Sequence, residues 1–412
     1  MRGTTAGAVV LAGLVAANGG NAVFHLIAAR SLGPSRYSDL VTLVAIVGLV
    51  AFPLGGVQFA IAQRTAQWAA HADRQRIGHL YRRGLVWSLV AGAALFLVIA
   101  VCSGPIQRGL HVESRTAVIL MGATLAPTIA TPMVLGLAQG LERFLLFSSV
   151  QIAGPVARIV FLVPLIALGA AVPGAMGATF GGTLVAVVVP AFVLIAWAQR
   201  PSETAHHLDA ASTSLRGALG TSVGGILGLT ALTSLDVVVA KLSLSSHVAG
   251  LYGAASLVGR LILFLPSAVA YVLVPKVSSR SAMGRDTRAL IRPSLLITGV
   301  LCLALTAAFS VAPKLLLDIS FGAKYEDAHS WIWLFGLEMT CFALANVAFA
   351  YDLGRGRARG AWLLCGAAVV ELLGYIPFHE SPRQLLYVNI ATGMALLLAY
   401  GIVGRFHRAE RA

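Results

Sequence analysis

Twelve stretches of about twenty mostly apolar residues follow one another along this chain and leave little sequence between them. They cover residues 7–28, 39–61, 84–104, 117–139, 145–169, 174–198, 217–240, 251–274, 293–313, 330–351, 361–378 and 385–404. At 1.5 Å of rise per residue, each is long enough to cross the hydrocarbon of a bilayer as a helix. In lipid every backbone N–H and C=O must find its partner inside the segment, so such a run dictates α-helix. The expected fold is an all-α integral membrane protein with about twelve transmembrane helices. No connection exceeds about 25 residues, too few for a globular domain. Function must therefore lie within the membrane or at its surfaces.

Composition excludes the soluble alternatives. Only 11% of the 412 residues are charged and the mean hydropathy is +0.84, whereas soluble domains carry about 25% charge. The apolar run 8–17 behind Arg2 has the outline of a signal peptide, but apolar character resumes after Asn21, so it reads as the first span. A net charge of +14 would suggest nucleic acid in a soluble protein. Here the distribution of the charge explains it. With the N-terminus inside, 20 Lys and Arg fall in cytoplasmic segments, 8 fall outside, and Arg158 and Arg260 lie within helices. That asymmetry places both termini in the cytoplasm of a multi-pass cell-membrane protein in contact with anionic inner-leaflet lipid, and leaves no role for nucleic acid. The basic segment Gln63–Arg83 has the composition of an interfacial helix.

The spans divide evenly: a six-helix bundle over 1–198, a cytoplasmic linker over 199–216, a second six-helix bundle over 217–404 and a basic tail over 405–412. Two halves with an even number of spans share one orientation, as parallel repeats about a central cavity. Pro53 in the second span and Pro266 in the eighth occupy corresponding places, which points to broken helices that move or line the cavity. Gly220, Gly224 and Gly228 in the seventh span, and Gly177 and Gly181 in the sixth, are spaced for close helix packing.

Polar side chains inside such spans carry the functional signal. Asn18, Asn21 and His25 recur at helical spacing down one face of the first span. Arg158 lies near the middle of the fifth span with Gln151 two turns earlier on the same face, and Arg260 lies within the eighth. A charge at mid-membrane depth costs about 2.5–3.5 kcal/mol on insertion scales. Each arginine must therefore face a partner or water, and guanidinium is suited to binding the phosphate oxygens of an anionic headgroup. Asp236, Glu338 and Glu371 are carboxylates within the seventh, tenth and eleventh spans. They serve either ion or proton coupling, or internal ion pairs that fix helix register. Asp236 is placed to pair with Arg260.

No motif of hydrolytic, phosphate-loop or intramembrane-protease chemistry occurs, which predicts a non-enzymatic protein without cofactor. His206, His207 and Asp209 sit in a Ser/Thr-rich linker with nothing to complete a metal site, and the four cysteines lie in apolar runs without ligand spacing.

Four short motifs carry a family resemblance. The turn R-S-L-G-P-S-R-Y at 30–37 resembles the R-x-L-G-P-x-x-Y-G turn after the first helix of polysaccharide flippases in the multidrug/oligosaccharidyl-lipid/polysaccharide exporter superfamily, with Ser38 in place of the final glycine. Asp236–Val239 followed by A-G-L-Y-G-A-A-S-L-V-G-R at 249–260, then V-L-V-P-K-V-S at 272–278, are similar to their seventh-to-eighth helix region, and F-G-A-K-Y-E-D-A at 321–328 to the turn before their tenth helix. The resemblance implies two six-helix bundles around a cationic cavity. It also implies movement of a polyprenyl-diphosphate-linked oligosaccharide from the inner to the outer leaflet by alternating access, alongside other proteins of polysaccharide assembly. On that reading Arg158, Arg260, Asn18, Asn21, His25 and Gln151 contact substrate. An ion-coupled exporter of small molecules or drugs is the alternative within the same superfamily. Its usual mark is acidic residues in the first bundle, where this chain has only Asp39, at a helix end.

Overall fold

The computed structural model describes residues 3–70, 73–198, 215–282 and 286–409, so the linker expected at 199–216 and the end of the tail lie largely outside the described residues. Fifteen α-helices follow in order: α1 (Gly3–Ala51), α2 (Leu54–Ala70), α3 (Arg74–Val101), α4 (Ser103–Gly109), α5 (Arg115–Gly140), α6 (Phe144–Ala167), α7 (Ala171–Ala198), α8 (Leu215–Leu232), α9 (Leu235–Ser243), α10 (Ser246–Ala282), α11 (Arg288–Val311), α12 (Pro313–Phe321), α13 (Ile332–Gly354), α14 (Arg359–Tyr375) and α15 (Pro382–Ala409). A 3₁₀ turn, Ala323–Trp331, joins α12 to α13.

Among the described residues, ten helical stretches are long and apolar enough to cross a membrane. The first, Ala12–Ala66, is 55 residues long and contains two spans. Its helix is interrupted at Gly33, whose φ of 72° and ψ of 170° only glycine adopts at low cost, with Pro34 behind it. The 17 residues of α14 make a further, short span. Among the described residues about twelve spans result, as the hydropathy pattern predicts.

Several internal breaks differ from expectation. The second span breaks at Phe52–Pro53, between α1 and α2, but α10 runs on through Pro266, so the two prolines do not break matched helices. The seventh span breaks without proline, at Thr233–Ser234 between α8 and α9. Gln63–Arg83 forms no separate interfacial helix: α2 ends and α3 starts within it, and Asp73 caps α3 by accepting from the Arg76 backbone N–H at 3.0 Å and pairing with its side chain at 3.1 Å. In the seventh span Gly220 and Gly224 face open space, whereas Gly225 and Gly228 touch Phe349 and Leu364.

Contacts divide the chain into two compact units. One comprises residues 1–32 and 53–215; the other comprises 33–52 and 216–412. The first part of the second span, within 33–52, thus packs with helices from the far half of the sequence. In the first unit α5 is central, packing on α2, α3 and α7, while α6 lies along α7. Gly154 and Gly182 make that last contact close: a Cβ on Gly182 would lie 2.7 Å from the Gly154 carbonyl oxygen. In the second unit α13 is central, against α10, α11 and α15. Apolar side chains of α3, α6 and α14, among them Trp87, Val160 and Trp362, point outward, as helices in lipid require.

Candidate functional site

Among the described residues, each unit holds polar side chains gathered within its apolar helices. In the first unit they gather around Arg158, near the middle of α6. Arg158 Nη1 donates to Asn21 Oδ1 on α1 at 3.2 Å, and its Cζ stands 5.0 Å from the centroid of the Phe24 ring. Nε is inaccessible and has no hydrogen-bond partner. His25 is buried and meets Phe24 edge-on, with centroids 5.3 Å apart. Of the expected stripe, the structure joins Asn21 to Arg158, whereas the ring contact of His25 is with its chain neighbour Phe24. Asn18, one turn earlier, is exposed. Gln151 is half-buried on α6; the polar partner of Arg158 is Asn21 rather than Gln151.

A guanidinium carries five N–H donors in a planar fork. An amide oxygen and an aromatic face stabilise and orient the charge without neutralising it. The group is thereby oriented while its Nε–H donor stays unspent.

The second unit holds a larger centre. Asp236, Glu338 and Glu371, distant in sequence, come together on α9, α13 and α14, and all three are buried. Arg260, on α10, lies in electrostatic range of Asp236 and Glu338, yet its Nε and Nη2 form no hydrogen bond. Tyr252 donates to Asp236 Oδ2 at 2.9 Å. The Tyr375 hydroxyl lies 3.0 Å from Glu371 Oε1 and also contacts the Asn389 amide. One hydroxyl proton cannot serve two acceptors. A proton on the Glu371 carboxyl satisfies both contacts: Glu371 donates to the Tyr375 hydroxyl, which in turn donates to Asn389 Oδ1. Glu338 faces the Asn389 amide, while Oδ1 of Asp236 and Oε2 of Glu371 remain without hydrogen-bond partners.

The break in the seventh span positions Asp236. Ser234 is the N-cap residue of α9 and Asp236 lies in its first turn, where free N–H groups and the helix dipole favour a carboxylate. Sequence reasoning missed this break: Ser234 makes no side-chain cap bond, and Thr233 Oγ1 donates back to the Leu229 carbonyl at 3.0 Å. It also missed Tyr252, Tyr375 and Asn389, which read as ordinary interfacial residues until their partners are known. Among the described residues, no three His, Cys, Asp or Glu side chains converge closely enough to hold a metal ion.

These features define the class of protein: a multi-pass, all-helical chain with the fold of membrane transporters. An inward-facing structure of a multidrug resistance MATE family transporter of the MOP superfamily matches with a TM-score of 0.71 at 15% identity, covering 95% of this chain and 94% of its own. The outward-facing form matches with a TM-score of 0.69 at 16% identity, over 98% and 96%. A MOP superfamily transporter from Pyrococcus furiosus matches with a TM-score of 0.70 at 14% identity, over 97% and 93%. Within that class, the chain belongs to the family described as polysaccharide biosynthesis protein, whose model matches residues 27–330. Uncharacterised proteins of Mycobacterium tuberculosis and Mycobacterium bovis are 27% and 26% identical to it over 361 residues, 81% of this chain and 79% of theirs.

Proposed function

We propose that this protein flips a lipid-linked oligosaccharide, a polysaccharide precursor on a polyprenyl diphosphate, from the inner to the outer leaflet of the cell membrane by alternating access. Membership of a polysaccharide biosynthesis family on a transporter fold supports the reading. The observation that carries it is Arg158: a mid-membrane guanidinium, held by Asn21 and Phe24, with donors to spare. A diphosphate is the part of such a substrate that needs a cation at membrane depth.

The carboxylate centre supplies coupling. If all three acids were ionised beside one arginine, the centre would hold an uncompensated negative charge at a cost of several kcal/mol per buried ion. Protons moving on and off Asp236, Glu338 and Glu371 relieve that imbalance and tie an ion gradient to the conformational cycle. In this reading Arg260 serves the acids rather than the headgroup, because a diphosphate placed among carboxylates would be repelled.

An ion-coupled exporter of small molecules is the second reading, favoured by the multidrug transporters that share the fold. The deciding experiment measures lipid-linked oligosaccharide on each leaflet in cells carrying Arg158→Ala. Accumulation on the inner leaflet at normal expression supports flipping. Normal surface polysaccharide together with lost drug efflux supports the exporter.

A further inference from the structure

Glu338, Asn389, Tyr375 and Glu371 form a polar chain across three helices of the second unit, α13, α15 and α14. All four side chains are buried, so each depends on its neighbours for hydrogen bonds. The Tyr375 hydroxyl touches Glu371 Oε1 on one side and Asn389 Oδ1 on the other, and the Asn389 amide faces Glu338. Around the chain lie Asp236 on α9, Tyr252 and Arg260 on α10, and Cys341 on α13 itself. Tyr252 donates to Asp236, and Arg260 is in electrostatic range of Asp236 and Glu338, so Asp236 is served from outside the chain.

Two arrangements satisfy every member. A hydroxyl has one proton to give, and an amide has a donor end and an acceptor end. With a proton on Glu371, the carboxyl donates to Tyr375 and Tyr375 donates to Asn389 Oδ1. The amide NH2 is then left for a Glu338 carboxylate. With the proton on Glu338, every bond reverses. Glu338 donates to the amide oxygen, a half-turn of the amide presents its NH2 to the Tyr375 oxygen, and Tyr375 donates to a Glu371 carboxylate. With no proton on the two acids, one junction of the chain sets acceptor against acceptor, and the two carboxylates repel. With a proton on each, a buried O–H finds no acceptor in the chain.

We infer that Tyr375 and Asn389 form a reversible hydrogen-bond switch that keeps a single proton on the Glu338–Glu371 pair and ties uptake at one acid to release at the other. It rests on the coupling role proposed for these acids, but on no particular substrate. In each reversal an O–H bond forms at one glutamate with a proton taken from water. An O–H bond breaks at the other, and that proton leaves to water. Tyr375 and Asn389 turn but keep their own protons, so both are positioning residues.

The carboxylic-acid infrared band of the purified protein in detergent tests the switch without substrate. Isotope labelling at the glutamate carboxyls separates them from aspartate, and glutamates at the surface are ionised at neutral pH. The labelled native protein should show one protonated glutamate per chain; none or two overturns the inference. Two variants then ask which acid owns the proton. In Glu371→Gln the new amide still donates to Tyr375, which holds Glu338 as the carboxylate. In Glu338→Gln the new amide donates to Asn389 Oδ1, which holds Glu371 as the carboxylate. Each variant alone should therefore lose the glutamic-acid band. A band that persists in either variant overturns the switch, because the proton would then belong to one acid whatever the other carries. A structural role for Tyr375 and Asn389 without exchange would leave the band in one of the two. These outcomes are read whether or not the protein flips oligosaccharide, and absence of flipping counts against the proposed function alone.

Discussion

Removing Lys241 leaves the Asp39 carboxylate at 1% exposure without its cation, and Lys241→Met keeps the length of the side chain while deleting its charge. Breaking a buried pair from one side costs about 3–5 kcal/mol. Asp39→Asn should cost less, because the ammonium keeps the Ser38 and Ser246 hydroxyls as acceptors. If the two side chains act as a pair, Asp39→Asn with Lys241→Met should cost less than the sum of the singles, with a coupling of about 1–3 kcal/mol. Denaturant titration of the four proteins in detergent micelles measures this. The two changes adding to within about 0.5 kcal/mol would refute the reasoning, since it would mean that the carboxylate and the ammonium do not sense each other.

Three further outcomes follow from the geometry. Gly250→Ala drives a methyl group into the Pro34 carbonyl and should destabilise the protein by about 1–3 kcal/mol, read by the same titration, whereas Gly220→Ala, which faces open space, should be near neutral. Tyr375→Phe removes the contacts to Glu371 and Asn389 and should cost about 1–3 kcal/mol while weakening the dependence of transport on a proton gradient. Asp352→Asn disrupts the twofold contact of Arg359 with Asp352, at 2.9 Å on each oxygen, and should loosen the α13–α14 turn, detected as faster proteolysis after Arg355 or Arg357.

The spans were legible because lipid imposes a single demand on every one of them, and about twenty apolar residues meet it. The breaks were less so. Pro53 announces one, but Thr233–Ser234 lies inside an apolar run with no proline or glycine to mark it. Asp236, Glu338 and Glu371 each stood out as a charge in a greasy helix, yet their meeting with Tyr252, Tyr375 and Asn389 is tertiary, and no local spacing encodes it. Asp39 and Lys241 were the costliest misreadings. One stood at a helix end and the other one residue beyond a span, so both read as solvated boundary charges. The structure buries them on each other across 202 positions of sequence. The motifs that carried the family resemblance were visible as strings, while the packing of the 30–37 string against those at 249–260 and 321–328 required the fold.

The central claim is tested most directly by flipping in proteoliposomes. Purified protein is reconstituted with a polyprenyl-diphosphate-linked oligosaccharide, and the lipid is scored by its exposure to a glycan-modifying enzyme added outside. The account predicts protein-dependent equilibration between leaflets. Loss of one charged hydrogen-bonding group in Arg158→Ala should slow it about 10- to 100-fold, matching about 1.5–3 kcal/mol. Lipid that stays on its original leaflet with the native protein, or that flips equally fast with Arg158→Ala, would contradict it.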